Sequence, residues 1–147
     1  MPVTAVSAEV ISDPVALARD ERGLIERLGE GPWQGVLRIS SKAGTVRANH
    51  YHRHDSHLCY LESGKLRYVY RPADKPDAPL REIIITPGQL FYTPPLIAHA
   101  MHFLEDSVFY ALTPRSGEQA EYEDDVVRVV LVSPEEAARY GTDAGPR

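Results

Sequence analysis

From Trp33 onward the chain is cut into short apolar runs that leave no room for a long helix. WQGVLRISS, TVRANHYH, SHLCYLES, KLRYVYRP, REIIITP, QLFYTP, AHAMHFLE, SVFYALTP and DVVRVVLVS are rich in Val, Ile, Tyr, Phe and Thr. Turn formers separate them: Gly44, Ser63-Gly64, the stretch from Pro72 to Pro79, Pro87-Gly88, Pro94-Pro95, Glu105-Asp106 and Pro114. β-branched and aromatic residues fit a pleated, half-buried surface. Runs of this length at this spacing predict an all-β antiparallel sandwich or barrel from about Trp33 to Val132. Ahead of it, DPVALARDE (13–21) reads as a short helix beginning near Asp13 and Pro14. Behind it, Ser133-Pro134-Glu135-Glu136 is a capping-box pattern with proline at the first helical position, so a short terminal helix is expected to end at Gly141. The tail TDAGPR reads as loose. No linker-like stretch interrupts residues 1–147, which therefore read as a single domain with short terminal helices.

The balance of charge narrows the partners. A net charge of −5 argues against nucleic acid and against an anionic membrane surface. No apolar run approaches the roughly 18 residues of a transmembrane helix, and the N-terminus lacks a basic region followed by an apolar block, so no signal peptide is expected. Cys59 is the only cysteine, which rules out an intrachain disulfide and makes the cytoplasm the default setting.

All six histidines fall between positions 50 and 102, and four of them lie in NHYHRHDSH (49–57). His50 and His52 are two apart in an expected strand, so their imidazoles share a face. Arg53, Asp55 and Ser56 look like a tight connection, and His57 opens the next strand, from which it can face back if the two strands pair. PGQLFYTPPLIAHAMHF then brings His99 onto a strand after a double-proline turn. Imidazoles converging inside a barrel favour one divalent transition metal, with Zn or Fe ahead of Ni, Cu and Mn. His54 lies in the connection, and His102 is out of phase with His99. Cys59 shares the parity of His57 and can line the same interior.

These stretches resemble the two cupin motifs. The first motif has a glycine, then two alternating histidines, a glutamate and a second glycine; here Gly44, His50, His52 and Gly64 take those places and His57 stands where the glutamate would be. In the second motif Gly88, Pro94 and His99 match, while Leu96 and Phe103 replace a glycine and an asparagine. The resemblance implies a cupin double-stranded β-helix, a jelly-roll barrel. It implies metal ligands at His50, His52 and His99, and extends that role to His57. An all-histidine set leaves the full charge of a divalent ion to act on a carbonyl or an anionic ligand.

A longer stretch is similar to the opening of the deoxysugar-nucleotide cupins. These include the dTDP-4-dehydrorhamnose 3,5-epimerases, the sugar 3,4-ketoisomerases and the zinc cupin domain of some capsular-polysaccharide enzymes. Asp20, Arg22-Gly23, Gln34, Gly44, Arg47 and His50 follow their pattern in order, with Ala48 in place of a glycine. The resemblance implies an isomerase or epimerase acting on a keto-sugar or similar small molecule by metal-assisted proton abstraction. Tyr92, Tyr60 and His102 are the candidate proton carriers, and Arg47 can pair with a substrate phosphate, although strict alternation sets it on the face opposite His50. Two other readings remain open: a non-haem Fe(II) dioxygenase of a small molecule, and a metal cupin that binds a ligand without turnover. The N-terminal strand-like segment and the acidic C-terminal segment offer edges that need covering, so a homodimer is expected.

Overall fold

The computed structural model describes residues 10–115 and 119–140; the side chains of residues 119–121 are outside that description. Among the described residues twelve strands appear in chain order: β1 Ile11–Ser12, β2 Val15–Asp20, β3 Gly23–Arg27, β4 Gly35–Ser41, β5 Val46–His52, β6 His57–Ser63, β7 Leu66–Pro72, β8 Arg81–Ile85, β9 Leu90–Thr93, β10 Ile97–Phe103, β11 Ser107–Thr113 and β12 Val126–Arg128. Two helices follow the same order, α1 Gln119–Asp125 and α2 Pro134–Arg139. The strands form two five-stranded sheets, ordered β1-β9-β6-β11-β4 and β12-β5-β10-β7-β8, and a separate β2-β3 ribbon. Every pairing is antiparallel. This is the antiparallel sandwich expected from the punctuated strand runs, in the jelly-roll form that the cupin resemblance implies.

Leu61, Leu66, Tyr68, Ile85, Phe91, Phe103 and Phe109 fill the space between the sheets at one end. Their burial removes aromatic and branched side chains from water, each worth about 1.5–3 kcal/mol. A second cluster lies around β10. Ala98 and Ala100 alternate with His99 and Met101, and they meet Leu131, Val132 and Ala137 of the C-terminal segment. Small residues on that face let the segment approach the sheet closely. The α2 cap forms as the sequence predicts: Glu136 N donates to Ser133 Oγ (3.1 Å) and Ser133 N donates to Glu136 Oε1 (3.2 Å).

Four expectations need correction or qualification. Residues 13–21 form no helix: Val15–Asp20 is a strand, because Asp20 Oδ1 accepts from Arg22 N (2.9 Å) and Gly23 turns back at φ +138°. Helix α1 lies inside the span expected to be all strand; its Gln119, Ala120, Glu121 and Glu123 are good helix formers. The C-terminal run DVVRVVLVS contributes only three strand residues. β5 and β6 do not pair, since the connection at 53–56 crosses from one sheet to the other. The end of the terminal helix at Gly141 and the tail TDAGPR lie outside the described residues. Among the described residues no helix is long and apolar enough to cross a membrane.

The β6-β7 turn shows how tightly the roll closes. Gly64 has φ +97°, and a Cβ there would lie 2.6 Å from the Asp106 carbonyl oxygen. Both the backbone conformation and the space exclude a larger residue. Gly64→Ala should therefore lower unfolding free energy by about 2 kcal/mol or more in chemical denaturation. A change under about 0.5 kcal/mol would contradict this close approach.

Candidate metal centre

The histidines are placed by a fault in strand β5. Ala48 and Asn49 both have left-handed backbone conformations, at φ +68° and +54°. The β5-β10 register pairs His99 with His50 but Ala100 with Ala48, so Asn49 is the extra residue of a bulge. A bulge changes side-chain parity along its strand. That is why Arg47, opposite Met101, lies on the same face as His50, opposite His99. Strict alternation had set Arg47 on the other face; the structure places it at the cavity, with Nε donating to Ser41 Oγ (2.5 Å) and an Nη donating to Ser40 O (2.9 Å).

His50, His52 and His99 come together in one buried group whose candidate ligand nitrogens all lie within 4.8 Å of one another. Their side chains come from adjacent strands of one sheet, β5 and β10. Hydrogen bonds fix two of the tautomers. His52 Nδ1–H donates to Asp125 Oδ2 (2.9 Å), and His99 Nδ1–H donates to the Ile97 carbonyl (2.9 Å), which leaves each Nε2 with its lone pair. Tyr68 stacks on His99 at 5.7 Å and anchors its own hydroxyl on Thr93 Oγ1 (2.6 Å). Among the described residues, His50 Nδ1 and His52 Nε2 are buried side-chain nitrogens without a hydrogen-bond partner. A buried polar atom left so costs about 1–3 kcal/mol. Neutral imidazoles, converging lone pairs and a carboxylate behind one ring are the donor chemistry of a divalent transition-metal site, with Asp125 orienting a ligand from outside it. The residues fit the metal that the motifs imply.

His57 approaches from the facing sheet. Its ring is 4.7 Å from that of His52, yet it groups with His52 and Asp55 rather than with His50 and His99. Its Nε2 lies 3.2 Å from Asp55 Oδ2, and Asp55 in turn accepts from Thr113 Oγ1 (2.8 and 2.9 Å) and Ser56 N (2.9 Å). His57, Tyr122 and Leu37 line two adjoining cavities, one of about 70 Å³ with His52, Asp55 and Asp125, the other of about 210 Å³ with His50, His99 and Arg47. Cys59, Met101 and Phe109 also line the larger one.

The three proton carriers named from the sequence are elsewhere. Tyr60 and Tyr92 alternate with the cavity-lining Cys59 and Thr93, so they stand on the opposite face of their sheet. His102 is buried beneath α2, where Nδ1 accepts from Arg67 Nε (3.1 Å) and Nε2–H donates to Ala137 O (3.2 Å). The groups that sequence reasoning missed are Asp55, Asp125, Thr113 and Tyr122. Tyr122 sits on α1 with its ring 6.1 Å from His50 and 6.2 Å from His52. The only sequence signal for Asp55 was its place between two histidines, and the acidic run EYEDD concealed Asp125.

Burial sets the charge of the group. Burial first, then repulsion from His99, His52 and His57, pushes the His50 imidazole from 6.5 down to about 2. Burial likewise takes His99 to about 3, against the bond to Ile97. His52 is lowered by burial and by His57, with Asp125 opposing. Burial alone would raise the Asp125 carboxyl, but bonds from His52 and from the backbone of His54 and Asp55 hold it below the carboxylate range. Burial keeps Cys59 a thiol.

These imidazoles refuse protons that the unfolded chain accepts. Their contribution to stability is fully present above pH 6.5 and is lost as pH falls below it, down to about 2 for His50. Chelator-treated protein should therefore lose about 1 kcal/mol or more per pH unit between pH 6.5 and 4.5 in urea melts, and His50→Gln should flatten that slope. Stability that does not change across this window would contradict the buried neutral group.

Neither a protein-family model nor a curated protein sequence matches the chain. Solved structures do. The chain is similar to a 3,4-ketoisomerase from Helicobacter canadensis, with 18% identity over 90% of this chain and 96% of that one and a TM-score of 0.63. It is similar to a dTDP-4-dehydrorhamnose 3,5-epimerase from Elizabethkingia anophelis NUHP1, with 16% identity over 93% and 84% of the two chains and a TM-score of 0.67. QdtA, a sugar 3,4-ketoisomerase from Thermoanaerobacterium thermosaccharolyticum in complex with TDP, matches at 16% identity over 94% and 98%, with a TM-score of 0.63. The chain thus has the cupin jelly-roll fold of the deoxysugar-nucleotide ketoisomerases and epimerases.

Proposed function

We propose that this chain is an isomerase or epimerase of a keto-sugar or similar small carbonyl compound, working by proton abstraction beside the carbonyl at a divalent-metal site. The observation that carries the reading is the buried group of His50, His52 and His99, whose candidate ligand nitrogens lie within 4.8 Å of one another, together with two buried nitrogens, His50 Nδ1 and His52 Nε2, that have no hydrogen-bond partner among the described residues. Those three residues would hold the ion. A bound divalent ion supplies Lewis acidity, which polarises a carbonyl oxygen and makes the neighbouring C–H more acidic.

The remaining chemistry belongs to the chain. His57 faces the cavity from the opposite sheet, with its ring fixed by Asp55, and is the imidazole available to move the proton. The cupin resemblance implies it as a fourth metal ligand, whereas the structure groups it with His52 and Asp55. Tyr122 closes the site near His50 and His52. Phe91, Met101 and Phe109 exclude water from the inner wall. The cavity, at about 210 Å³, is smaller than the roughly 300–1,000 Å³ pockets that enclose a drug-sized ligand. A nucleotide-linked sugar would therefore place its reacting end inside and its phosphates at the mouth, where exposed Arg47 offers a guanidinium braced by Ser40 and Ser41. The solved ketoisomerase that carries TDP supports this substrate class through fold likeness. An all-imidazole group also suits Fe(II), which makes oxygenation of a small molecule the competing reading.

We also propose a homodimer. The β2-β3 ribbon is exposed on both faces and displays Val15, Leu17, Leu24 and Ile25, while β4 is a sheet edge with Val36 and Leu37 exposed. A two-stranded ribbon is marginal alone in water, and a second copy would cover both features. The lone buried thiol of Cys59 agrees with a cytoplasmic setting.

The deciding experiment incubates metal-loaded protein with a nucleotide-linked 4-keto-6-deoxysugar in D2O and follows deuterium entry beside the keto group by NMR. We expect exchange, a loss of about 10²-fold in kcat for His57→Gln, and a KM about tenfold higher for Arg47→Ala with kcat less affected. No exchange at any metal loading, together with substrate-dependent O2 uptake, would replace this reading with the oxygenase. For the dimer, light scattering should give twice the chain mass, and Leu17→Glu with Ile25→Glu should halve it; a wild-type mass of one chain refutes it.

A further inference from the structure

We propose that Asn49 is a positioning residue that aims His50 by tying the β5 bulge to the C-terminal segment. The inference rests on the metal-site reading above and deepens it. Asn49 precedes His50 and is the extra residue of the bulge, in a left-handed conformation at φ +54°. Asparagine tolerates that conformation better than other non-glycine residues. Its side chain leaves the strand and spends every strong hydrogen-bonding direction but one on remote backbone. Oδ1 accepts from Leu131 N (2.9 Å) and Val132 N (3.1 Å), and Nδ2 donates to Val132 O (2.8 Å). Its own carbonyl accepts from Val129 N (2.9 Å). Four bonds thus join one bulge residue to positions 129–132.

The same C-terminal segment carries the other constraint on this motif. Asp125 holds the His52 ring and receives the backbone N–H groups of His54 and Asp55. The two histidines of His-x-His are therefore each aimed from outside β5, His52 by a bond to its ring and His50 through the backbone beside it. A bulge with two left-handed residues is a strained way to place a side chain. Without the Asn49 bonds, residues 48–50 can relax toward regular pleat, and the His50 ring turns away from His52 and His99. The motif-level glycine is absent at Ala48, so backbone freedom does not hold the bulge; side-chain bonding does. Removing a group that orients a metal ligand from outside costs about 10–100-fold in metal affinity.

The test compares full-length wild type, Asn49→Gly, Asn49→Asp and Ser133→Ala. Asn49→Gly accepts the left-handed backbone and deletes only the side-chain bonds. Asn49→Asp keeps the acceptor for the two N–H groups and loses the donor. Ser133→Ala weakens the α2 cap on the same segment without touching the bulge, and so reports general loosening of the C-terminus. The readouts are Zn(II) affinity by competition with a chelating dye and the visible spectrum of the Co(II) form. We expect Asn49→Gly to bind Zn(II) at least tenfold more weakly with an altered Co(II) spectrum, Asn49→Asp to fall between it and wild type, and Ser133→Ala to lower the melting temperature while leaving affinity and spectrum unchanged. If Asn49→Gly does not fold, Asn49→Asp decides alone, with wild-type affinity and spectrum refuting the proposal. Wild-type behaviour of Asn49→Gly, or an equal effect of Ser133→Ala, overturns it. Failure of wild type itself to bind either ion overturns the metal-site reading instead.

Discussion

Three imidazoles can share one buried pocket only while they are uncharged, and the rest of this site follows from that condition. A single protonated ring among His50, His52 and His99 would be desolvated and would repel its neighbours, which is why His50 is pushed to about 2 and His99 to about 3. Neutral rings must each choose a tautomer. The Ile97 carbonyl and the Asp125 carboxylate make that choice for His99 and His52 and turn their lone pairs to the interior. What results is an Nε2 lone pair on each of those two rings beside the unpartnered Nδ1 of His50, donor chemistry that suits a divalent cation.

The scaffold needed for this is not local. Two of the rings stand on β5 and one on β10; the Ile97 carbonyl orients the ring on β10 from its own strand, but the groups that aim the two on β5 come from the C-terminal part of the chain. Asp125 ends α1, and residues 129–132 receive the bonds of Asn49 and its backbone. The small Ala98 and Ala100 on the outer face of β10 let this segment lie close against the sheet that bears His99 on its inner face. His57 arrives from the second sheet because the 53–56 connection crosses the roll. Asp55 sits in that crossing, bonded to Thr113 of β11, so one short loop joins both sheets at the histidine-bearing end. The site and the closure of the jelly roll are in this sense one structure.

The order of hydrophobic runs and breakers made the all-β fold legible, and the spacing of His50, His52 and His99 made their buried cluster legible. Both signals are periodic and local. The errors arose where a local rule was overridden by a distant contact. Alternation sent Arg47 to the wrong face because Ala48 gives no hint of the left-handed turn that a glycine would have signalled. Tyr60 and Tyr92 are a different case, in which local alternation with the cavity-lining Cys59 and Thr93 sets both phenols on the outer face. Asp125 and Tyr122 lie in a segment whose acidic composition describes a solvated helix as well as it describes a cover for the site. The 13–21 segment carries a helix start signal, yet it forms part of a ribbon whose apolar residues stay exposed among the described residues.

Zinc titration of metal-free protein by calorimetry addresses the central claim most directly. The account predicts one Zn(II) per chain for wild type and for His54→Ala, whose ring lies outside the group, and at least a hundredfold weaker binding for His50→Ala and His99→Ala. Equal zinc affinity in wild type and His99→Ala, with both proteins folded, would contradict it.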